Sequence, residues 1–246
     1  MRNFKMVLQY EGTRYQGWQR QESTGNTIQG KLEALLSRMA GISVEIQGAG
    51  RTDAGVHAYG QVANFKLDTE QTPKELLDYL NRYLPEDIAV IQLDEVPLGF
   101  HSRLHAKGKC YRYRVLNSAL PHVFDRRYVY PVPEELDLTA MRQAAEAMCG
   151  EHDFQAFTSA KKGKKSTVRR VDAIQIECVE DEVQFTFRGN GFLYHMVRIM
   201  MGTLLSVGKG ELEAGKIPQI LAAGNRQLAG PLVPAQGLAL MEVFYD

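Results

Sequence analysis

Alternation of apolar and polar positions in FKMVLQYEG, residues 4–12, predicts a strand that ends in a turn. Apolar residues at Ile28, Leu32, Leu35, Leu36 and Met39 then share one helical face, and Gly41 closes that helix. ISVEIQ and QVANFKL read as strands, PKELLDYLNRYL as a helix with Pro73 near its first turn, and DIAVIQL as a strand, which makes the order βαββαβ. The second half repeats the order without repeating the sequence. KCYRYRVLN reads as a strand, and DLTAMRQAAEAMCG as a helix with Leu138, Met141, Ala145 and Met148 inward. RRVDAIQIECV and EVQFTFRGN form an alternating pair. FLYHMVRIMMGTLLSVG is a helix apolar on most sides and therefore buried, ELEAGKIPQILAAG a further helix, and GLALMEVFY the last strand.

Two split βαβ units of this kind predict an α+β chain with two ferredoxin-like, RRM-like halves, residues 1–100 and 101–246, whose antiparallel sheets meet around a central cleft. The linker around Pro97 to Ser102 is too short to tether independent domains. A chain of 246 residues buries enough core to need no disulfide scaffold. Cys110, Cys149 and Cys178 are odd in number and form no CxxC pair, so a reduced, cytoplasmic setting is expected, with no zinc knuckle. No apolar run approaches the ~18 residues of a membrane span, and the first residues lack the apolar stretch of a signal peptide.

The formal net charge is zero, so any nucleic-acid affinity must come from distribution and not from the sum. No acid occurs between Glu95 and Asp125, where Arg103, Lys107, Lys109, Arg112 and Arg114 alternate with His101, His105, Tyr111 and Tyr113. A second acid-free stretch, FQAFTSAKKGKKSTVRRV, carries Lys161, Lys162, Lys164, Lys165, Arg169 and Arg170. Together they predict one basic face. Solvated loops would account for either cluster alone.

Several familiar motifs fail on their chemistry. GNTIQGKL resembles a phosphate loop, but Leu32 stands where a hydroxyl must hold Mg²⁺. GAGRTD puts Asp53 where the last glycine of a dinucleotide fingerprint should pack. HSRLH spaces His101 and His105 like zinc ligands, yet Arg103 lies between them and no glutamate follows His101. No cofactor and no metal are expected.

What remains is GAGRTDAGVHAYG. If the flanking runs are adjacent strands, their connection from Gly48 to Gly60 exceeds the roughly two to five residues of most hairpin loops. Val56, His57 and Tyr59 are not solvating residues, so the loop is expected to be ordered and buried at its base. There Asp53 is costly unless paired, and Arg51 is the local candidate. An Asx-turn and a reactive carboxylate are both open readings of it. Arg198 inside HMVRIMM reads as a buried guanidinium that needs an anion, and Asp53 is the expected one; a backbone-carbonyl partner or a snorkelling surface arginine is the alternative reading.

YEGTRYQGWQRQ, TIQGKLEALL, GAGRTDAGVHAYGQVANF, FHSRLHAKGKCYRYRV, GEHDFQAF, NGFLYHMVRIMMGTLLSVG and PAQGLAL, in that order along nearly the whole chain, resemble the tRNA pseudouridine synthase A family. The resemblance implies a homodimer that isomerises uridines 38, 39 and 40 of the tRNA anticodon stem-loop, with two βαββαβ halves flanking a basic cleft and with no cofactor. It implies that Asp53 is the essential carboxylate, attacking C1′ of the sugar or C6 of the uracil, or assisting a glycal route. Tyr111 matches the residue that stacks on the target uracil, Arg51 the residue that enters the base stack as the uridine leaves, and Leu238 a residue packed against the uracil. Arg103, Lys107, Lys109, Arg169 and the lysines at 161, 162, 164 and 165 are expected to contact phosphates. The competing readings are a noncatalytic RNA-binding protein, for which Arg51-Thr52-Asp53 would be unnecessary, and an aspartate-dependent hydrolase, for which no second carboxylate flanks Asp53.

Overall fold

In β1 (Arg2–Tyr10) the even positions Phe4, Met6, Leu8 and Tyr10 are all buried, as a strand with one covered face requires. α1 (Ile28–Ala40) starts where the Thr27 hydroxyl accepts from the Gly30 N–H and stops at Gly41 in the left-handed region. Its inward stripe is Ile28, Leu32 and Leu36, joined by the buried polar pair Gln29 and Glu33. That pair is used: Glu33 Oε1 accepts from the Ile46 N–H at 3.0 Å and Gln29 donates to the Ile46 carbonyl at 3.2 Å, which ties β2 (Ile46–Gly48) to the helix. β3 (His57–Leu67) follows, then α2 (Pro73–Tyr83), opened by a Thr72–Glu75 capping box with Pro73 in the first turn, then β4 (Ile88–Val96).

The computed structural model describes every residue except 161, 162, 164, 165 and 246, and its chain divides into two compact units, Met1–Lys107 with the stretch from Ala239, and Gly108–Leu238. In the first unit the strand order is β4-β1-β3-β2, all antiparallel.

The second unit holds β5 (Gly108–Leu116), the short β6 (Tyr130–Pro131), α3 (Leu138–Met148), β7 (Gly150–Asp153), β8 (Val168–Val179), β9 (Glu182–Gly189), α4 (Met196–Gly208) and α5 (Ile217–Ala223). Its antiparallel order is β5-β9-β8-β7, with β6 alongside β5 in parallel. β10 (Leu238–Phe244) closes the chain.

The α+β class and the predominantly antiparallel pairing are as expected, and four local features differ. β10 pairs in parallel with β3, Ala239 opposite His57 and Leu240 opposite Ala58, so the last strand groups with the first unit and the boundary falls after Lys107, not after residue 100. β3 begins at His57 because β1 continues along it as far as the Tyr10–Ala58 pair while β10 takes its other edge; the connection from β2 is therefore residues 49–56. α4 begins at Met196 and not at Phe192, because His195 has φ 64° and breaks the helical run before it. Leu138 is half-buried, whereas Met141, Ala145 and Met148 point inward with Ala144. No helix among the described residues is long and apolar enough to cross a membrane.

Candidate active site

The loop between β2 and β3 is built by backbone contacts to residues far away in sequence. The Ala49 N–H donates to the Val62 carbonyl at 2.7 Å, the Trp18 N–H to the Thr52 carbonyl at 3.0 Å, and the Gly55 N–H to the Tyr15 carbonyl at 3.3 Å. Asp53, Ala54, Gly55 and Val56 make a tight turn closed by Val56 N–H to Asp53 carbonyl at 3.2 Å, and Gly55 supplies its positive φ of 80°.

Three buried polar side chains hold the loop from below. Tyr10 Oη and Thr52 Oγ1 lie 2.8 Å apart, and Gln61 Nε2 donates to the Gly50 carbonyl at 2.9 Å and to Tyr10 Oη at 3.4 Å. Burial pushes the Tyr10 phenol up to about 12, so it stays protonated and able to donate. His57 Nδ1 accepts from the Gly12 N–H at 3.0 Å, which fixes the far end. Packing is equally tight. A side chain at Gly12 would collide with the Val56 carbonyl, one at Gly17 would reach the Thr52 carbonyl oxygen at 2.6 Å, and one at Gly48 would enter the Trp18 indole at 2.5 Å. Thr52, Val56 and His57 are buried, Asp53 is half-buried, and Arg51 is exposed. Among the described residues Arg51 forms no ion pair.

In the second unit Arg198 and Tyr113 both bond to one segment, residues 230–237, and Leu238 follows it. Arg198 Nε donates to the Val233 carbonyl at 2.8 Å, and Tyr113 Oη donates to the Pro234 carbonyl at 2.8 Å. Bonding through Nε leaves an arginine its two terminal amino groups for an anion. Segment 230–237 lies hard against α4: the Gly230 N–H donates to Thr203 Oγ1 at 2.9 Å, and a side chain at Gly202 would collide with the Pro231 carbonyl. A 3₁₀ turn, Ala235–Gly237, then delivers Leu238, itself buried, at the start of β10. Tyr111 and Tyr113 share one face of β5, and their environments separate them. Tyr113 is wholly buried, and that burial pushes its phenol far above the ordinary value; Tyr111 keeps a sliver of exposure and meets Phe192 edge to face at 5.4 Å.

Of the basic residues, Arg103 and Lys107 are exposed in the first unit, and Lys109 on β5 is half-buried in the second. Arg169 is half-buried and donates to the carbonyls of Ser166 and Val168 at 3.0 and 2.6 Å; desolvation lowers its pKa. Lys161, Lys162, Lys164 and Lys165 lie outside the described residues. His101 and His105 spend Nδ1 on backbone N–H groups, and among the described residues no group of three or more His, Cys, Asp or Glu side chains is placed to hold a metal. Tyr10, Gln61, Gly12, Gly17 and Trp18 were not singled out by sequence reasoning as parts of the site. Their only signal was their place in two blocks of the family resemblance, YEGTRYQGWQRQ for Tyr10, Gly12, Gly17 and Trp18 and GAGRTDAGVHAYGQVANF for Gln61.

Residues 6–104 and 144–246 match the family model described as tRNA pseudouridine synthase. The chain is 48% identical over 240 residues to "tRNA pseudouridine synthase A" of Bacillus sp. (strain KSM-64), covering 98% of each. It is 44% identical over 246 residues to the protein of that name from Acetivibrio thermocellus, covering 100% of each, and 44% identical over 243 residues to "tRNA pseudouridine synthase A 2" of Bacillus cereus (strain ZK / E33L), covering 99% of each. With both halves matched and the Arg51-Thr52-Asp53 loop inside the matched span, the chain belongs to the tRNA pseudouridine synthase family.

Proposed function

We propose that this chain converts uridine to pseudouridine in tRNA, at positions 38, 39 and 40 of the anticodon stem-loop, with Asp53 as the essential carboxylate. The observation that carries the reading is the Asp53 loop: a half-buried acid on a backbone clamped by Trp18, Tyr15 and Gln61 is preorganised as a nucleophile or base needs to be.

The reaction breaks the N1–C1′ bond, turns the detached uracil and joins C5 to C1′; C5 loses its proton and N1 ends with one. Electrons balance within the nucleotide, so no redox cofactor is needed. A stacked uridine must first be flipped out, at a cost of a few kcal/mol. Arg51, exposed beside Asp53, would enter the stack as the base leaves. Tyr111 would stack on the uracil, Leu238 would pack against it, and Arg198 would hold Asp53 ionised. A guanidinium suits that last role because its fork meets a carboxylate in a fixed geometry. Arg103, Lys107, Lys109, Arg169 and the lysines at 161, 162, 164 and 165 would neutralise phosphates. Homodimeric assembly and a cytoplasmic location belong to the same proposal.

Asp53→Ala should abolish tritium release from C5-labelled uridine in tRNA while leaving tRNA affinity within a few fold. Turnover near the wild-type rate would overturn the assignment of Asp53.

A further inference from the structure

We infer that the segment Pro97–Lys107 is a preformed phosphate-contacting platform for the RNA, and that Asn64 is the positioning residue that holds it in shape. This rests on the tRNA reading above and adds to it a residue with no place in the chemistry.

Asn64 lies in the middle of β3, 3% exposed, where the alternating pattern would suit an apolar side chain or an outward polar one. It spends its amide on the loop. Oδ1 accepts from both the Ser102 N–H at 2.9 Å and the Ser102 hydroxyl at 2.6 Å, and Nδ2 donates to Asn3 Oδ1 at 3.1 Å and, at the limit of reach, to the Phe100 carbonyl at 3.5 Å. Asn3, 1% exposed, donates onward to the Pro97 and Phe100 carbonyls at 3.0 Å each. Tyr245 Oη donates to the Ser102 carbonyl at 2.6 Å. Ser102 itself is fully buried. Burying three polar side chains is costly unless all are satisfied, and here four of their six bonds go to the backbone of one loop.

That loop displays donors. Pro97–Lys107 contains no acid, and Arg103, His105 and Lys107 are exposed on it. The His101 N–H donates to His105 Nδ1 at 3.0 Å and the Arg103 N–H to His101 Nδ1 at 3.1 Å, so in both rings Nε2 carries the proton and is a donor. Beside them Lys5 Nζ sits over the Tyr245 ring at 4.7 Å and the Phe100 ring at 5.8 Å. The acid nearest in register, Asp94 opposite Lys5, accepts from Gln92 Nε2 at 2.6 Å. Cations and N–H donors on a rigid, acid-free backbone suit phosphate oxygens, and rigidity lowers the ordering cost of binding.

The test is a double-mutant cycle read by filter binding of an unmodified tRNA transcript across a salt series. Arg103→Ala should raise Kd about 5- to 10-fold and reduce the slope of log K against log salt by about one. Asn64→Leu should reproduce both effects, with its kcat at saturating tRNA within about twofold, and the Kd of the double variant should be no worse than those of the single ones. Ser102→Ala, which removes one hydroxyl, keeps the test valid should Asn64→Leu fail to fold; a rise in Kd of about 2- to 3-fold, with a lowered salt slope, is expected. Multiplying effects in the double variant, or an unchanged salt slope in Asn64→Leu and Ser102→Ala, would overturn the inference. Wild-type protein that forms no pseudouridine in tRNA would instead overturn the proposed function, so the two failures are distinct.

Discussion

Gly17→Ala places one methyl group against the backbone of the Asp53 loop, and the structure sets the size of the effect. The new carbon would lie 2.6 Å from the Thr52 carbonyl oxygen, 3.1 Å from the Asp53 carbonyl carbon and 3.2 Å from the Ala54 nitrogen. All three are backbone atoms, so no rotamer change relieves the clash. Reaching the 3.4 Å of ordinary contact requires the loop to retreat by about 0.8 Å. That retreat also stretches the 3.0 Å bond from the Trp18 N–H to the same carbonyl. Gly17 has φ 89°, where an L side chain adds about 1–2 kcal/mol, and the lost buried bond adds about 1–3 kcal/mol. The melting temperature should fall by about 5–15 °C. Activity should suffer more than folding, because a shift approaching 1 Å at a catalytic group costs roughly 100-fold. Single-turnover tritium release should therefore slow by about 10- to 100-fold, with tRNA Kd nearly unchanged. Gly41→Ala is the matched control: its φ of 70° carries the same conformational cost, but nothing lies within 4 Å of the new methyl. It should lower stability by about 1–2 kcal/mol and leave the single-turnover rate alone. Equal rates for Gly17→Ala and wild type, or equal losses in both glycine variants, would refute the clamp on Asp53.

Arg198→Lys should lose at least tenfold in kcat, because an ammonium cannot both bond the Val233 carbonyl and present a planar fork to a carboxylate; near-normal single-turnover rates would argue against the Asp53 pairing. Tyr113→Phe should cost about 1–2 kcal/mol in calorimetric or urea unfolding, through the lost bond to the Pro234 carbonyl, with a smaller effect on tRNA affinity. Replacing Lys161, Lys162, Lys164 and Lys165 together by glutamine should flatten the salt dependence of tRNA binding, and an unchanged slope would show that they do not meet RNA.

Strands and helices were legible because each is decided by residues close together in sequence: alternation in β1 and the stripe Ile28, Leu32, Leu36 needed no distant information. The misses share the opposite property. β10 belongs with β3, and β3 starts at His57, because of pairings between segments about 180 residues apart, which no local pattern encodes. Period two put Tyr111 and Tyr113 on one face and could not rank them; the Pro234 carbonyl, 121 residues from Tyr113, makes the difference. Nothing in QVANFKL marks Asn64 as buried; it is buried because Ser102 and Asn3, both distant in sequence, bring it partners. At the site the limit is sharpest. The glycines around Asp53 serve packing: Gly48 is needed by the Trp18 indole, and Gly12 and Gly17, in a segment about 40 residues upstream, are needed by the loop itself. The sequence names the acid; its placement depends on three separated segments closing on one turn, with so little space left that a single methyl group is enough to test it.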